Sequence, residues 1–556
     1  PLWSRGLGDV YKRQVFMSKN PNQRSLGFTI FAIVLSIVLV ATAGIMVYEI
    51  LKLEILPSNI LMPVILVIIL FSLILLLLIN FCAHGLATKI IFSFLVILIS
   101  VTYGLGDYYL YSTASTLNIV TEQAAKSKNT VSLIVMAESK KEDVQDINGS
   151  KIGVLTNINK EGTKKSLNDI SKQNIGYSTE KFDNVPAMLQ ALYEGQVDAI
   201  ILNEAYRSNV SEIENYGNFN NETKVIHQTV YYTKEANNSL AVSDITSKPF
   251  TILITGNDSF GTLDEVSRSD VNMIVTINPL TSTILMTSIP RDAFVTEVCD
   301  DYACNYGVED KLTHTGIYGA DTTKDTLENL LDIDINYIFR VNFSSMIDIV
   351  DALGGIDIDV AEGMAISRFY SDSTLEGVHE GQNHLNGKRA LAYSRERKAY
   401  LDGDVQRARN QQQVLQAMFK KASSPEVITK YSNILKAVGK AFDTNMTTKE
   451  ITSFIKYQLQ ANPSWKFEQY VLKGENTLKV SPELGMEVSA VELYAYSIQI
   501  ASEKIDAVLD GKSSDTIETE EDIPAGTLSE EEIEAQIQQG LYEAQYYGEE
   551  TPEEMK

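Results

Sequence analysis

Apolar residues are distributed unevenly along this chain, and the unevenness changes character twice. Three long apolar runs come first, Leu26–Tyr48, Ile60–Cys82 and Ile90–Tyr111. At about 1.5 Å rise per helical residue, each is long enough to cross a hydrocarbon layer of roughly 30 Å. Shorter alternations and helix-spaced clusters then take over. Val131–Met136 and Lys151–Leu155 predict strands, Ala187–Tyr193 predicts a helix, and Val197–Leu202, just after Gly195, predicts a buried strand. The polar stretch Lys234–Lys248 reads as a linker. Three further strand signals follow: Phe250–Thr255 leading into GNDSFG, Val271–Ile277 after SRSD, and Thr283–Ile289 leading into PRD, with the turn INPLTS between the last two. A helix at Thr448–Leu459, a strand at Lys466–Leu472 and a helix at Ala490–Leu509 complete the pattern.

Three spans place the two ends of a chain on opposite sides of a membrane. Lys19 and Arg24 precede the first run and Lys89 the third, whereas the loop Glu49–Asn59 has one Lys against two Glu. The positive-inside rule therefore puts the N-terminus in the cytoplasm and everything after about Tyr111 outside the cell membrane. A cleaved signal peptide has one short apolar region rather than three, and three buried core helices do not suit runs of this length. The expected organisation is a non-native, adapter-like leader over residues 1–16, a cytoplasmic stretch over 17–25, transmembrane helices over 26–111, an accessory α/β module over 130–235, a second α/β domain over 249–510 and an acidic tail over 511–556. That tail has 14 acidic and two basic residues, and is expected to be disordered apart from a short amphipathic helix around Ile533, Ile537 and Leu541.

The charge pattern adds candidate chemistry. The chain carries a net charge of −25, yet five of its 13 arginines fall between Arg389 and Arg409, in RALAYSRERKAYLDGDVQRARNQQQ. Such a local reversal of sign suits an anionic ligand, and planar guanidinium groups grip phosphate oxygens in pairs. A solvated helix face with internal ion pairs is the alternative. If the three strands after residue 249 form an antiparallel meander, Asp258, Arg268, Asp270 and Arg291 share one sheet edge. Two carboxylates with two guanidinium groups suit a divalent cation, Mg²⁺ or Mn²⁺, beside a phosphate; two surface salt bridges worth about 0–1 kcal/mol each are the other reading. Cys299 and Cys304 either close a short disulfide loop in an oxidising compartment or stay as thiols. No helix-turn-helix or DNA-facing basic helix is evident, so no nucleic-acid partner is expected.

The motifs SRSDVNMIVTINPLTSTILMTSIPRDAFV, DKLTHTGIYG, VNFSSMIDIVDALGGIDIDV and HLNGKRALAYSRERKAYLDGDVQRARNQQQVL resemble, in order and spacing, the LytR-CpsA-Psr family of bacterial cell-envelope proteins, over about residues 250–421. The three spans, the extra α/β module and the aromatic residue in GNDSFG are most similar to the capsule-associated CpsA branch. The resemblance implies an extracellular α-β-α domain with a central mixed sheet. It implies an Mg²⁺-dependent phosphotransferase that moves a glycan from an undecaprenyl diphosphate carrier to peptidoglycan. Capsule, teichoic acid and wall polysaccharide all present that diphosphate handle. By resemblance, Asp258 and Asp270 hold the metal; Arg268, Arg291, Arg395, Arg397, Arg407 and Gln411 hold the diphosphate; and Asp270, Arg291 and Asp404 are catalytic, with Asp270 or Asp404 as the base. In an extended segment Arg395 and Arg397 face one side, and Arg407 and Gln411 share a helix face. Arg389, Arg409 and His314 are read as structural, Glu396 receives no functional assignment, and Asp404 also suits a helix cap. Met273, Val275, Ile277, Phe343, Met346, Ile347, Val350 and Leu353 are either an isoprenoid tunnel or plain core. A polyprenyl-diphosphate phosphatase and a non-catalytic lipid-binding regulator are the rival functions. The segment VPAMLQALYEGQVDAIILNEAY is similar to one lobe of the extracellular solute-binding proteins, over 130–232.

Overall fold

The computed structural model describes residues 25–123, 126–156, 158–210, 213, 215–234, 240–257, 266–299, 304–424, 433–434, 436–438, 441–519, 526–529 and 531–535. The three apolar runs form α1 (Leu26–Leu53), α2 (Ser58–Leu77), which widens into a π-helical turn through Cys82, and α3 (Leu86–Gln123). All three are long and apolar enough to cross a membrane. Ser25 accepts from the Phe28 amide at 3.3 Å and so starts α1 with a side-chain cap.

The accessory region is a five-stranded sheet in the order β3-β2-β4-β1-β5, built from β1 (Lys126–Met136), β2 (Ser150–Leu155), β3 (Tyr177–Phe182), β4 (Ala199–Asn203) and β5 (Thr223–Lys234). β2 runs parallel to β3 and β4, while β1 is antiparallel to β4 and β5. The alternation along β1 sorts its side chains to two faces. Val131, Leu133 and Val135 pack with Ile170 of α4 (Lys160–Ser171), and Ile134 packs with Met188, Leu189 and Leu192 of α5 (Val185–Tyr193).

The second region centres on a six-stranded mixed sheet, in the order β16-β11-β6-β7-β8-β17. Its middle is the expected meander: β6 (Phe250–Asn257), β7 (Val271–Asn278) and β8 (Thr283–Ile289), antiparallel throughout. After β9 (Phe294–Thr296), β10 (Glu309–Lys311) and α6 (Ala320–Leu331), the strand β11 (Tyr337–Asn342) joins parallel to β6. α7 (Phe343–Leu353), the small strands β12 (Ile356–Val360), β13 (Ile366–Arg368), β14 (Glu376–Val378) and β15 (Gly381–Leu385), and then α8 (Gly387–Arg395) and α9 (Gly403–Ala422) follow. β16 (Phe442–Thr444) closes one edge. The chain continues through α10 (Thr448–Ala461) to β17 (Lys466–Val471), parallel to β8, then a ribbon of β18 (Gly474–Ser481) and β19 (Met486–Leu493), and ends its regular part in α11 (Ala495–Leu509). The helix expected from Ala490 thus starts later, because Ala490–Leu493 pair with Gly474–Thr477 in the ribbon.

One face of the mixed sheet, with Leu253, Ile274 and Leu285, buries Leu327 and Leu331 of α6 and Ala501, Ile505 and Val508 of α11. Met273, Val275 and Ile277 alternate to the other face and are buried too. Val350 lies in the separate cluster that α7, α8 and α9 form with β12, with Met346 packed against it. The Phe343 side chain is outside the described residues. On the other face α9 is pinned by Gln412, which is fully buried and donates to Met286 O, Ser288 Oγ and Tyr470 O at 2.9–3.1 Å.

The two sheets touch at named points. Val266 N donates to Lys128 O at 3.0 Å. Arg340 of β11 makes a bidentate pair with Asp443 of β16, both bonds 2.8 Å, and reaches Ser127 Oγ of β1 at 3.0 Å. Behind β9 and β10 sits a closed acidic group. Glu483 accepts from Tyr318 and Asn305 at 2.7 Å and from Tyr206 of the accessory region; Asp310 accepts from Ser481 at 2.8 Å and pairs with His314 at 3.0 Å. His314 therefore has the structural role expected of it. Glu297 lies beside them fully buried, and burial, followed by the nearby Glu483 and Asp310, pushes its carboxyl up to about 9. Cys299 and Cys304 are joined as a disulfide.

The acidic tail corrects its expectation in part. Lys466 binds Asp515 at 2.7 Å, residues 531–535 are helical, and Ile533 is only 4% exposed in the apolar cluster of α8 and α9. Ile533 is buried there with Leu528 partly buried beside it, an apolar contribution set among glutamates.

Candidate functional site

The edge where β6 ends, β7 begins and β8 ends gathers the motif residues. Gly256 pairs with Val271 and Asn272 with Ile289, and Asp270 N donates to Gly256 O at 2.8 Å. Gly256 has to be glycine, because a Cβ there would collide with Val341 O of the neighbouring β11. Gly316 is under the same constraint: its missing side chain lets the 267–269 backbone pass at contact distance.

Asp270 stands at the centre. Its Oδ1 receives Arg291 Nη1 at 3.1 Å and the Thr313 hydroxyl at 3.2 Å, with Arg268 Nε 4.0 Å away. Arg291 also approaches Asp292 through Nε at 3.5 Å, and Lys311 Nζ holds the other oxygen of Asp292 at 2.6 Å. From the opposite wall α9 brings Asp404, Arg407 and Gln411. Asp270, Arg291, Asp292, Asp404, Arg407 and Gln411 line one cleft. Asp404 binds Arg407 at 3.0 Å and Arg397 at 3.7 Å. The cap expected of it falls elsewhere, since Asp402 is the residue before α9 and Asp404 lies in its first turn. Arg268 turns to a neighbouring pocket lined by Ser127, Gly256, Gly316 and Arg340.

Burial raises the Asp292 carboxyl, but the Lys311 ammonium and the Arg291 and Arg407 guanidinium groups outweigh it and leave the group below its ordinary range. Burial lowers Arg407; Asp404 opposes that, while Arg291 and Arg397 add to it. A guanidinium stays charged at neutral pH regardless. Arg268, Arg291, Lys311, Arg397 and Arg407 against Asp270, Asp292 and Asp404 leave a surplus of positive charge. Partly buried, that surplus favours an anion with several oxygens.

The arginine segment differs from the expected extended strand. α8 continues through Arg395, started by Asn386, whose side chain accepts from Arg389 N at 3.0 Å. It stops because the buried Glu396 carboxylate accepts from the amides of Tyr370, Ser371, Arg397 and Ala399. Arg395 therefore ends a helix and Arg397 stands alone in the following loop, with 45% of its side chain exposed. Arg389 is structural, donating to the carbonyls of Glu376, Gly377 and His384, and Arg409 is tied to Asp402 at 2.6 Å. Asp258 lies outside the described residues. Among the described residues no group of three or more His, Cys, Asp or Glu side chains is arranged to hold a metal. Asp270 supplies one hard oxygen donor, which fits an Mg²⁺ held by one or two carboxylates and by the phosphates of its substrate. Asp292, Lys311 and Thr313 were missed in the sequence reading. Their signal was present, since Asp292 follows Arg291 in PRD and the other two open KLTHTG.

Residues 213–501 match the model of the LytR_cpsA_psr family. The chain is 35% identical over 242 residues to the polyisoprenyl-teichoic acid–peptidoglycan teichoic acid transferase TagU of Bacillus cereus, covering 42% of this chain and 73% of that protein. Among solved structures it resembles protein gbs0355 from Streptococcus agalactiae, with 29% identity, a TM-score of 0.41 and coverage of 51% of this chain and 94% of the other. A second is the LytR-CPS2A-psr family protein YwtF (TagT) with bound octaprenyl pyrophosphate lipid, with 25% identity, a TM-score of 0.37 and coverage of 50% and 96%.

Proposed function

The chain belongs to the LytR_cpsA_psr family, and from that premise we propose that it is a membrane-anchored phosphotransferase. It moves a glycopolymer from undecaprenyl diphosphate to peptidoglycan, outside the membrane. The observation that carries this reading is the convergence of Arg291, from the end of β8, and Arg407, from α9, over the single cleft that holds Asp270. Two walls of cations face each other across a gap suited to linked phosphates.

In the reaction, the oxygen of an acceptor hydroxyl attacks the phosphorus that bears the glycan. A new phosphodiester P–O bond forms, the bond to the bridging oxygen breaks, and polyprenyl phosphate leaves with that electron pair. Arg291, Arg397 and Arg407 neutralise the oxygens that gain charge, while Arg268, in the neighbouring pocket, supports Asp270 from behind. Asp270, together with Asp258, would hold an Mg²⁺ that adds neutralising charge. Both candidate bases meet a guanidinium, but Asp404 is the more open, its side chain 37% exposed against 10% for Asp270, which would also hold the metal. Asp404 is therefore assigned to take the hydroxyl proton.

The test is transfer of label from a lipid-linked glycan to peptidoglycan by the full chain with Mg²⁺. Label on the wall supports the transferase, free sugar phosphate or inorganic phosphate supports a phosphatase, and no turnover supports a binder. Arg291→Ala is expected to reduce transfer about 10²–10³-fold, the usual loss for one donor to developing oxyanion charge, with thermal unfolding unchanged. Near-normal transfer would remove Arg291 from the assignment.

A further inference from the structure

The residues matched to the family end at 501, yet the chain returns to the arginine loop after that point. Leu401 N donates to Gly526 O at 3.1 Å and Leu528 N to Ala399 O at 3.0 Å, with Tyr400 and Thr527 bridged antiparallel between them. A short helix at 531–535 follows. Ser529 and Glu532 start it with a reciprocal cap: Ser529 N and Oγ donate to the Glu532 carboxylate at 2.8 and 2.7 Å, and Glu532 N to Ser529 Oγ at 3.2 Å. The helix sinks Ile533 into the apolar cluster that contains Tyr393, Ala399 and Tyr400, with Leu528 packed against it. Glu534 meets Arg368 at 3.4 Å.

We infer that residues 526–529 and 531–535 form a strap that fixes the loop between α8 and α9 and thereby positions Arg397, which pairs with Asp404 of the cleft, toward the diphosphate. The inference rests on the proposed function for its ligand, but not for its geometry. The loop 396–402 has no strand or helix of its own. Its first half is held by the Glu396 carboxylate, and its second half, Ala399–Leu401, is paired by backbone hydrogen bonds to the strap. The strap acts through the loop backbone, so it is a positioning element rather than part of the catalytic set.

The experiment uses the full chain in detergent micelles, titrated with geranylgeranyl diphosphate, with amide hydrogen exchange followed in parallel. Two variants are compared: Ile533→Asp, and the chain ending at Thr519. Both are expected to bind about tenfold more weakly, as when the competent loop is populated about a tenth of the time. Both are expected to exchange faster at 396–404, with β6–β8 as protected as before. A peptide of residues 526–536 added to the shortened chain is expected to restore affinity. Unchanged exchange at 396–404 would overturn the strap, as would exchange rising throughout the mixed sheet or a loosened loop with unchanged affinity. An unaltered chain that does not bind the diphosphate would instead overturn the functional reading, while the exchange measurement still decides the strap.

Discussion

The accessory sheet and the mixed sheet handle charge in opposite ways. In the accessory sheet, ions meet in pairs near water: Glu204 with Arg207, Asp198 with Lys141 and Glu180 with Lys151. Each pair is close to neutral and partly solvated, so each is worth about 1 kcal/mol or less. At the edge of the mixed sheet the same residue types are crowded into a cleft where cations outnumber carboxylates and Arg407 is pressed by Arg291 and Arg397. A fold gains nothing in stability from such an excess; it suits a ligand that brings the missing negative charge. The contrast separates the charges that serve the fold from those that serve binding.

Four measurements can break or sharpen that contrast. The largest effect is expected where the two sheets share one cation: Arg340→Met would take the bidentate guanidinium from the buried Asp443 and its bond from Ser127, lowering stability by about 3–5 kcal/mol in denaturant unfolding. An unchanged midpoint would show that the sheets are not coupled through this pair. Next, Arg407→Ala is expected to cut transfer about 10²–10³-fold while leaving stability level or slightly higher, because it relieves repulsion. A clear loss of stability would place Arg407 with the structural charges.

A smaller effect belongs to Glu297. Its carboxyl is raised to about 9 by burial and by Glu483 and Asp310, so the folded chain holds a proton that the unfolded chain releases above its ordinary carboxyl value. The stabilising contribution is full below that ordinary value and is lost as pH rises toward about 9. Glu297→Gln should therefore match the parent in acid and become relatively more stable through neutral pH to about 9; a difference independent of pH would contradict the assignment. The smallest effect is expected from Arg207→Ala, which should cost about 1 kcal/mol and leave transfer unchanged. Loss of transfer there would move the accessory sheet into the reaction.

Much of the mixed sheet is legible in the chain, because β6, β7 and β8 are continuous apolar strands separated by turn residues, and their antiparallel order alone puts Asp270 and Arg291 at one edge. β3 and β5 went unseen: YSTEKF is half exposed and polar, and β5 is an edge strand whose outer face shows Val230 and Tyr232 to solvent. The apolar alternation that reveals a strand is weak where only one face is covered. Arg395 was misread because a helix end depends on the buried Glu396 carboxylate, whose amide partners at Tyr370 and Ser371 lie far back in the chain. Asp292 and Lys311 escaped because their partnership joins β8 to β10 across a loop of unpredictable path. The helix around Ile533 is legible in the tail, but not where it docks, since the apolar cluster that takes Ile533 is built from residues far back in the chain.

The anchoring of α9 through Gln412 has a consequence in time. Gln412 and Ser288, whose hydrogen bond fixes the far wall of the cleft, lie 124 positions apart along the chain. At about 5–20 residues per second, on the order of ten seconds of synthesis separates β8 from α9. During that interval the emerging meander carries Arg291 without its opposing wall, so the cleft has one of its two cationic sides until α9 is made.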